Sequence, residues 1–163
     1  IFGQCANMSR IKKIAKEAGN IKIIEDAAQA VGARDKDYNK SGSFGIAASF
    51  SLHPLKNLSA LGDGGFISTN DEELAYWLKR ARNHGHPNRD ECDFWSFNMR
   101  LDTIQAAFIL EKLPYLEEQT EKRRYNANFY RQNLSKSNLK MKSLNDNIIS
   151  DLKDLLGLLK KPR

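Results

Sequence analysis

A chain of 163 residues, 40% of them apolar and 28% charged, can enclose one hydrophobic core and has the balance of an ordinary soluble globular unit. It contains no run of about eighteen apolar residues and no basic-then-apolar leader, so neither a membrane span nor a signal peptide is expected. The net charge of +6 is scattered among acids and asparagines, notably at Lys122, Arg123, Arg124, Lys153 and Lys160, without interleaved aromatics; a solvated helix face is expected, not a nucleic-acid surface.

The first predicted element is a helix. Ser9 precedes IKKIAKEAG, where Ile11, Ile14, Ala15 and Ala18 recur at helical spacing and Gly19 supplies the stop. Cys5 and Cys92 form neither a disulfide framework nor a metal spacing, and a reducing cytoplasm is the expected compartment. Residues 21–24, IKII, read as a short strand that carries Glu25 and Asp26 to the carboxyl edge of a sheet. Asp26 has two readings there, as cap of a following helix or as a carboxylate presented to a ligand. If a helical turn starts at Asp26, Gln29 shares its face.

A polar loop over residues 34–42 leads to the strand AASFSL, where Ser49 and Ser51 alternate onto one side. His53, before Pro54, reads as a turn or packing histidine or as a site residue, and Lys56 follows. The glycines of LGDGG predict a turn before the strand GFIST. Asn70 or Asp71 caps a helix through Leu74, Leu78 and Ala81, with Trp77 placed in the core. The loop over residues 83–96 holds His84 and His86, a spacing that hints at a metal but lacks a third ligand. From Asp102, LDTIQAAFILEKL is an amphipathic helix, bent at Pro114 and resumed through EEQTEKRRYNANFYRQNL. Beyond it, Ile148, Leu152, Leu155, Leu156 and Leu159 form a stripe that needs a partner surface.

The chemistry lies in a combination. A carboxylate held just after one strand can keep a pyridine nitrogen protonated, and a lysine after another strand, with its pKa lowered by desolvation, can attack an aldehyde. Asp26 and Lys56 stand in that relation, and pyridoxal phosphate (PLP) is the cofactor with both groups. Ser49 and Ser51 are hydroxyls suited to a phosphate oxygen. Taken singly, Lys56 is an ordinary surface lysine and Asp26 a helix cap; together they point to a site.

The motifs carrying these residues resemble the DegT/DnrJ/StrS family of PLP-dependent sugar aminotransferases. They are FGQCANM at residues 2–8, IEDAAQAVGA at 24–33, SFGIAASFSLHPLKNLSALGDGGFISTND at 43–71, RNHG at 82–85 and FNMRLDTIQAA at 97–107. The resemblance spans residues 1–134 and implies an α/β chain, part of the three-layer α/β/α large domain of fold-type I PLP enzymes, truncated at both ends. Residues 135–163 would be a divergent or truncated helical tail in place of the small C-terminal domain.

By the same resemblance, Lys56 bonds to the cofactor aldehyde and moves the proton, and Asp26 binds the pyridine nitrogen. Gln29 contacts the phenolic-oxygen side of the ring, and Ser51 holds the phosphate. His53 lies near the cofactor. Asn98 reaches the phosphate in the neighbouring subunit, which implies a homodimer with shared active sites. The implied reaction moves an amino group from glutamate or glutamine to a keto-sugar nucleotide, for nucleotide-sugar, surface-polysaccharide or antibiotic-sugar biosynthesis. Two alternatives stand beside it. One is a PLP-dependent sugar dehydratase, against which Lys56 argues because those relatives carry histidine there. The other is a non-catalytic fragment or regulatory binding module of the same fold.

Overall fold

The computed structural model describes residues 3–134, so the apolar stripe and the tail expected over residues 135–163 lie outside the described residues. Helix α1 (Met8–Glu17) begins ahead of Ser9, because Asn7 is the cap: its Oδ1 accepts the Arg10 N–H at 3.1 Å. No residue of α1 is buried, and Ile11 and Ile14 stay exposed.

Three strands form one mixed sheet in the order β1–β2–β3: β1 (Ile24–Asp26), β2 (Ala47–Ser51) and β3 (Gly65–Ser68). β1 runs parallel to β2, with Glu25 opposite Ala48 and Asp26 opposite Ser49; β3 returns antiparallel, with Phe50 opposite Phe66. The expected strand over residues 21–24 is displaced, since pairing starts at Ile24 and takes in both acids. The cause is tertiary. Glu25 is buried and its carboxylate accepts three backbone N–H groups, from Gly42 at 2.8 Å, Phe44 at 2.6 Å and Gly45 at 2.9 Å, which fixes this stretch against the chain entering β2.

The two-residue period then divides the sheet. One face carries Glu25, Ala48, Phe50 and Phe66, with the Phe50 and Phe66 rings stacked 4.5 Å apart. Ala27, Ala30 and Val31 pack against Ala48 and Phe50 there. The opposite face carries Ile24, Asp26, Ser49, Ser51 and Ile67, and its two isoleucines are exposed.

No helix follows Asp26. The chain turns at once, with the Ala30 N–H on the Ala27 carbonyl at 2.9 Å and the Ala33 N–H on the Ala30 carbonyl at 3.0 Å. Short turns suffice because this segment needs only to lay small side chains over Phe50 while crossing between parallel strands. Asp71, not Asn70, caps α2 (Glu72–Ala81) by accepting the Leu74 N–H at 2.9 Å. Trp77 is not a core residue: it stays exposed and stacks on Phe94, covering the loop that follows.

Helix α3 (Thr103–Lys112) passes through a 3-10 turn at Leu113–Tyr115 into α4 (Leu116–Leu134), as Pro114 requires. Leu101, Ile109 and Leu116 pack with Val31 against Leu52, Leu58 and Ala60 of the β2–β3 connection. Among the described residues, no helix is long and apolar enough to cross a membrane.

Candidate active site

Because β1 and β2 are parallel, their carboxyl ends open on the same edge of the sheet, and Asp26 and Ser51 both arrive there. Asp26 is exposed. Its Oδ1 accepts the Ala28 N–H at 3.1 Å, closing a side-chain turn in place of a helix cap, and its Oδ2 has no partner among the described residues. Glu25, one residue earlier, points into the protein and is spoken for by its three amides.

After Ser51 the chain leaves the sheet and closes on itself. The Leu52 N–H donates to the Gly64 carbonyl at 2.8 Å, and the Ala60 N–H donates to the Leu52 carbonyl at 2.7 Å, so residues 52–60 form a loop tied at both ends. Lys56 sits on it, its N–H donating to the His53 carbonyl at 2.8 Å. Ser51 Oγ accepts the His53 N–H at 3.3 Å, and His53 Nδ1 accepts the Leu55 N–H at 3.2 Å. His53 Nε2 faces Asp63 Oδ1 at 3.9 Å. His53 therefore organises the turn that presents Lys56.

The half-buried Lys56 lines a shallow, solvent-open surface depression with Asn57, Ala28, Gln29 and Val31. Gln29 thus meets Lys56 through the turn after β1, not through a shared helix face. Asn98 lies outside that concavity, on the loop after α2. It pairs with Asn83 in an antiparallel bridge, flanked by the His84 N–H on the Phe97 carbonyl at 3.0 Å and the Met99 N–H on the Arg82 carbonyl at 2.8 Å. Asn98 is exposed, as are Trp95, Phe97 and Met99. Arg80 supports the loop from α2, with its guanidinium on Asp93 and 4.3 Å from the Tyr76 ring centroid. The His84 and His86 rings meet edge to face at 5.9 Å, and among the described residues no group of three metal-ligating side chains is assembled.

Gln105 and Lys112, neither of them expected as a site residue, hold the lysine loop from α3. Gln105 Oε1 accepts the Leu61 N–H at 2.8 Å, and Lys112 Nζ donates to Ser59 O at 2.9 Å and Ser59 Oγ at 2.6 Å. The only sequence signal was the presence of Gln105 inside the FNMRLDTIQAA motif.

An amine, a carboxylate oxygen and a hydroxyl proton without partners among the described residues stand on Lys56, Asp26 and Ser51 at this strand edge. That donor set fits a cofactor with an aldehyde, a ring nitrogen and a phosphate. The structure is that of a fold-type I PLP aminotransferase domain: it superposes on an aminotransferase from Brucella abortus with a TM-score of 0.83 at 38% identity, covering 92% of this chain and 40% of that one.

A family model for the DegT/DnrJ/EryC1/StrS aminotransferases matches residues 1–149, and the chain belongs to that family, whose cofactor is PLP. It is 46% identical over 132 residues to a pleiotropic regulatory protein of Geobacillus stearothermophilus, covering 80% of this chain and 34% of the relative. It is 44% identical over 148 residues to a dTDP-3-amino-3,6-dideoxy-alpha-D-galactopyranose transaminase of Aneurinibacillus thermoaerophilus, covering 90% of this chain and 40% of that protein. The chain thus spans well under half the length of these relatives.

Proposed function

We propose that this chain carries the cofactor-bonding part of a PLP-dependent transaminase that aminates a keto-sugar nucleotide, with glutamate or glutamine as donor. The observation that carries this reading is that Lys56 and Gln29 line one concavity at the sheet edge where Asp26 ends β1, with a carboxylate oxygen that has no partner among the described residues. The transaminases of sugar nucleotides among the relatives support the substrate class.

Bound PLP supplies an electron-withdrawing ring that stabilises negative charge on the reacting carbon. Asp26 Oδ2 holds the proton on the ring nitrogen. The Gln29 amide orients the phenolic-oxygen side, and the Ser51 hydroxyl donates to the phosphate. Lys56 Nζ, half-buried on a loop closed at both ends, is the group that takes and returns the proton at the reacting carbon. In the same reading the protein is a homodimer in which Asn98 completes the partner subunit's phosphate site, and the exposed Trp95, Phe97 and Met99 are covered by that subunit. Residues 1–134 belong to the large domain.

The intact protein mixed with PLP is expected to show a visible absorption band that borohydride bleaches, leaving the label on the peptide containing Lys56. A label elsewhere, with Lys56→Ala still turning over, rejects the assignment. A second reading, a regulatory binding module without turnover, is favoured by the name of the Geobacillus relative. The retained lysine favours catalysis, and sustained product formation with an amino donor and a keto-sugar nucleotide decides between them.

A further inference from the structure

We propose that Lys112 and Gln105 of α3 are positioning residues that set where Lys56 stands, by clamping the return limb of its loop. The inference rests on the reading of Lys56 as the cofactor-bonding amine.

The outgoing limb of the loop is held by its own turn, through the His53 bonds to Ser51, Leu55 and Lys56. The return limb has one bond to the sheet strand's end, from Ala60 to Leu52. Among the described residues, the hydrogen bonds to its neighbours on either side come from α3: Ser59 is held by the Lys112 ammonium, through both its carbonyl and its hydroxyl, and Leu61 by the Gln105 amide oxygen. Removing those bonds loosens Ser59 and Leu61, on the return limb of the loop that carries Lys56.

Gly62 and Gly64 lie against side chains of α3 and of the residue just ahead of it. A Cβ on Gly64 would stand 2.8 Å from Leu101 Cδ1, and one on Gly62 would stand 2.9 Å from Gln105 Nε2. Of these, Gly62 is the site of close approach to α3 itself. Leu101, just ahead of the helix, also packs on the cluster of Leu52, Leu58 and Ala60 beneath the loop.

Lys112 is a poor choice for packing alone. Burial, and then repulsion from the Arg123 guanidinium, push its pKa below the usual lysine range. A methionine would fill similar space without that penalty, and only a donor group can hold both oxygens of Ser59. The helix begins at Thr103, a few residues after Asn98, so the clamp on the lysine loop lies close in the chain to the asparagine segment.

The test uses the intact protein with Lys112→Met, Gln105→Ala and Lys112→Arg. In the cofactor-free form, amide hydrogen exchange over residues 53–61 is expected to rise about tenfold in the first two, with the β2–β3 amides unchanged and the arginine variant restoring protection. With PLP, borohydride should still label Lys56. The pH at which the visible band titrates should move, and kcat should fall roughly ten- to a hundredfold with the donor KM within about twofold. Unchanged exchange in the loop overturns the proposal, as does a loosened loop whose band titration and kcat stay native. If Lys112→Met does not fold, Ser59→Ala removes only the hydroxyl acceptor and should move the same readouts in the same direction; native readouts in that folded variant also overturn it. A label away from Lys56 in the unsubstituted protein overturns the functional reading, and the positioning claim falls with it.

Discussion

Glu25 and Asp26 are adjacent acids on one short strand that point to opposite faces of the sheet: Glu25 is buried under three amide donors, and Asp26 is exposed, with one oxygen unpartnered among the described residues. Their substitutions should therefore separate. Glu25→Ala strands the N–H groups of Gly42, Phe44 and Gly45 and is expected to cost about 3 kcal/mol in urea unfolding. Asp26→Asn keeps an oxygen for the Ala28 N–H and should change stability by no more than about 0.5 kcal/mol. In the proposed reading it removes the charge that would hold the ring proton, so transamination by the intact protein should fall about a hundredfold, far more than PLP binding. Equal activity in Asp26→Asn would reduce Asp26 to a turn former.

The shared-site reading is tested by mixing two inactive variants of the intact protein, Lys56→Ala and Asn98→Ala. In a mixed dimer one of the two sites receives both native residues, so some activity should return. Demonstrated subunit exchange without recovery would show that Asn98 does not serve the partner.

Gly85 has φ of 77° and follows His84 at 60°, so the RNHG segment makes two successive left-handed residues. A Cβ on Gly85 would overlap the Phe94 carbonyl. Gly85→Ala is expected to lower stability by more than about 1 kcal/mol by thermal unfolding. Since the His84 to Phe97 bond lies next to Asn98, activity should drop as well. Native stability in that variant would mean the turn relaxes freely.

The two thiols should differ. Burial pushes the Cys5 pKa up, and the charges of Asp35 and Glu25 raise it further. Folded Cys5 thus keeps a proton that the unfolded chain releases. The associated stability is present below the ordinary thiol pKa and is lost as the pH rises from there through the raised value of the folded protein. Near neutral pH, iodoacetamide should label the exposed Cys92 roughly tenfold faster than Cys5, as read by peptide mass spectrometry. Equal rates would show that Cys5 is open to solvent as a thiolate.

Sequence alone determined what depends on near neighbours. A helix cap at Asn70 or Asp71, the break at Pro114, the strands before and after Lys56, and the motif that assigns the family were all legible, because each is set by residues within a turn or two. Tertiary structure decided the rest. Local propensity favoured residues 21–24 as the strand, but the register with β2 and the amides converging on Glu25 moved it to Ile24–Asp26. Gln29 met Lys56 because parallel strands open on one edge, and Trp77 stayed outside because Phe94 came to it. The α3 contacts to Ser59 and Leu61 join residues far apart in the chain, and no periodicity records such a pairing; it exists only once β3 has returned beside β2 and brought the glycines of the loop beneath the helix.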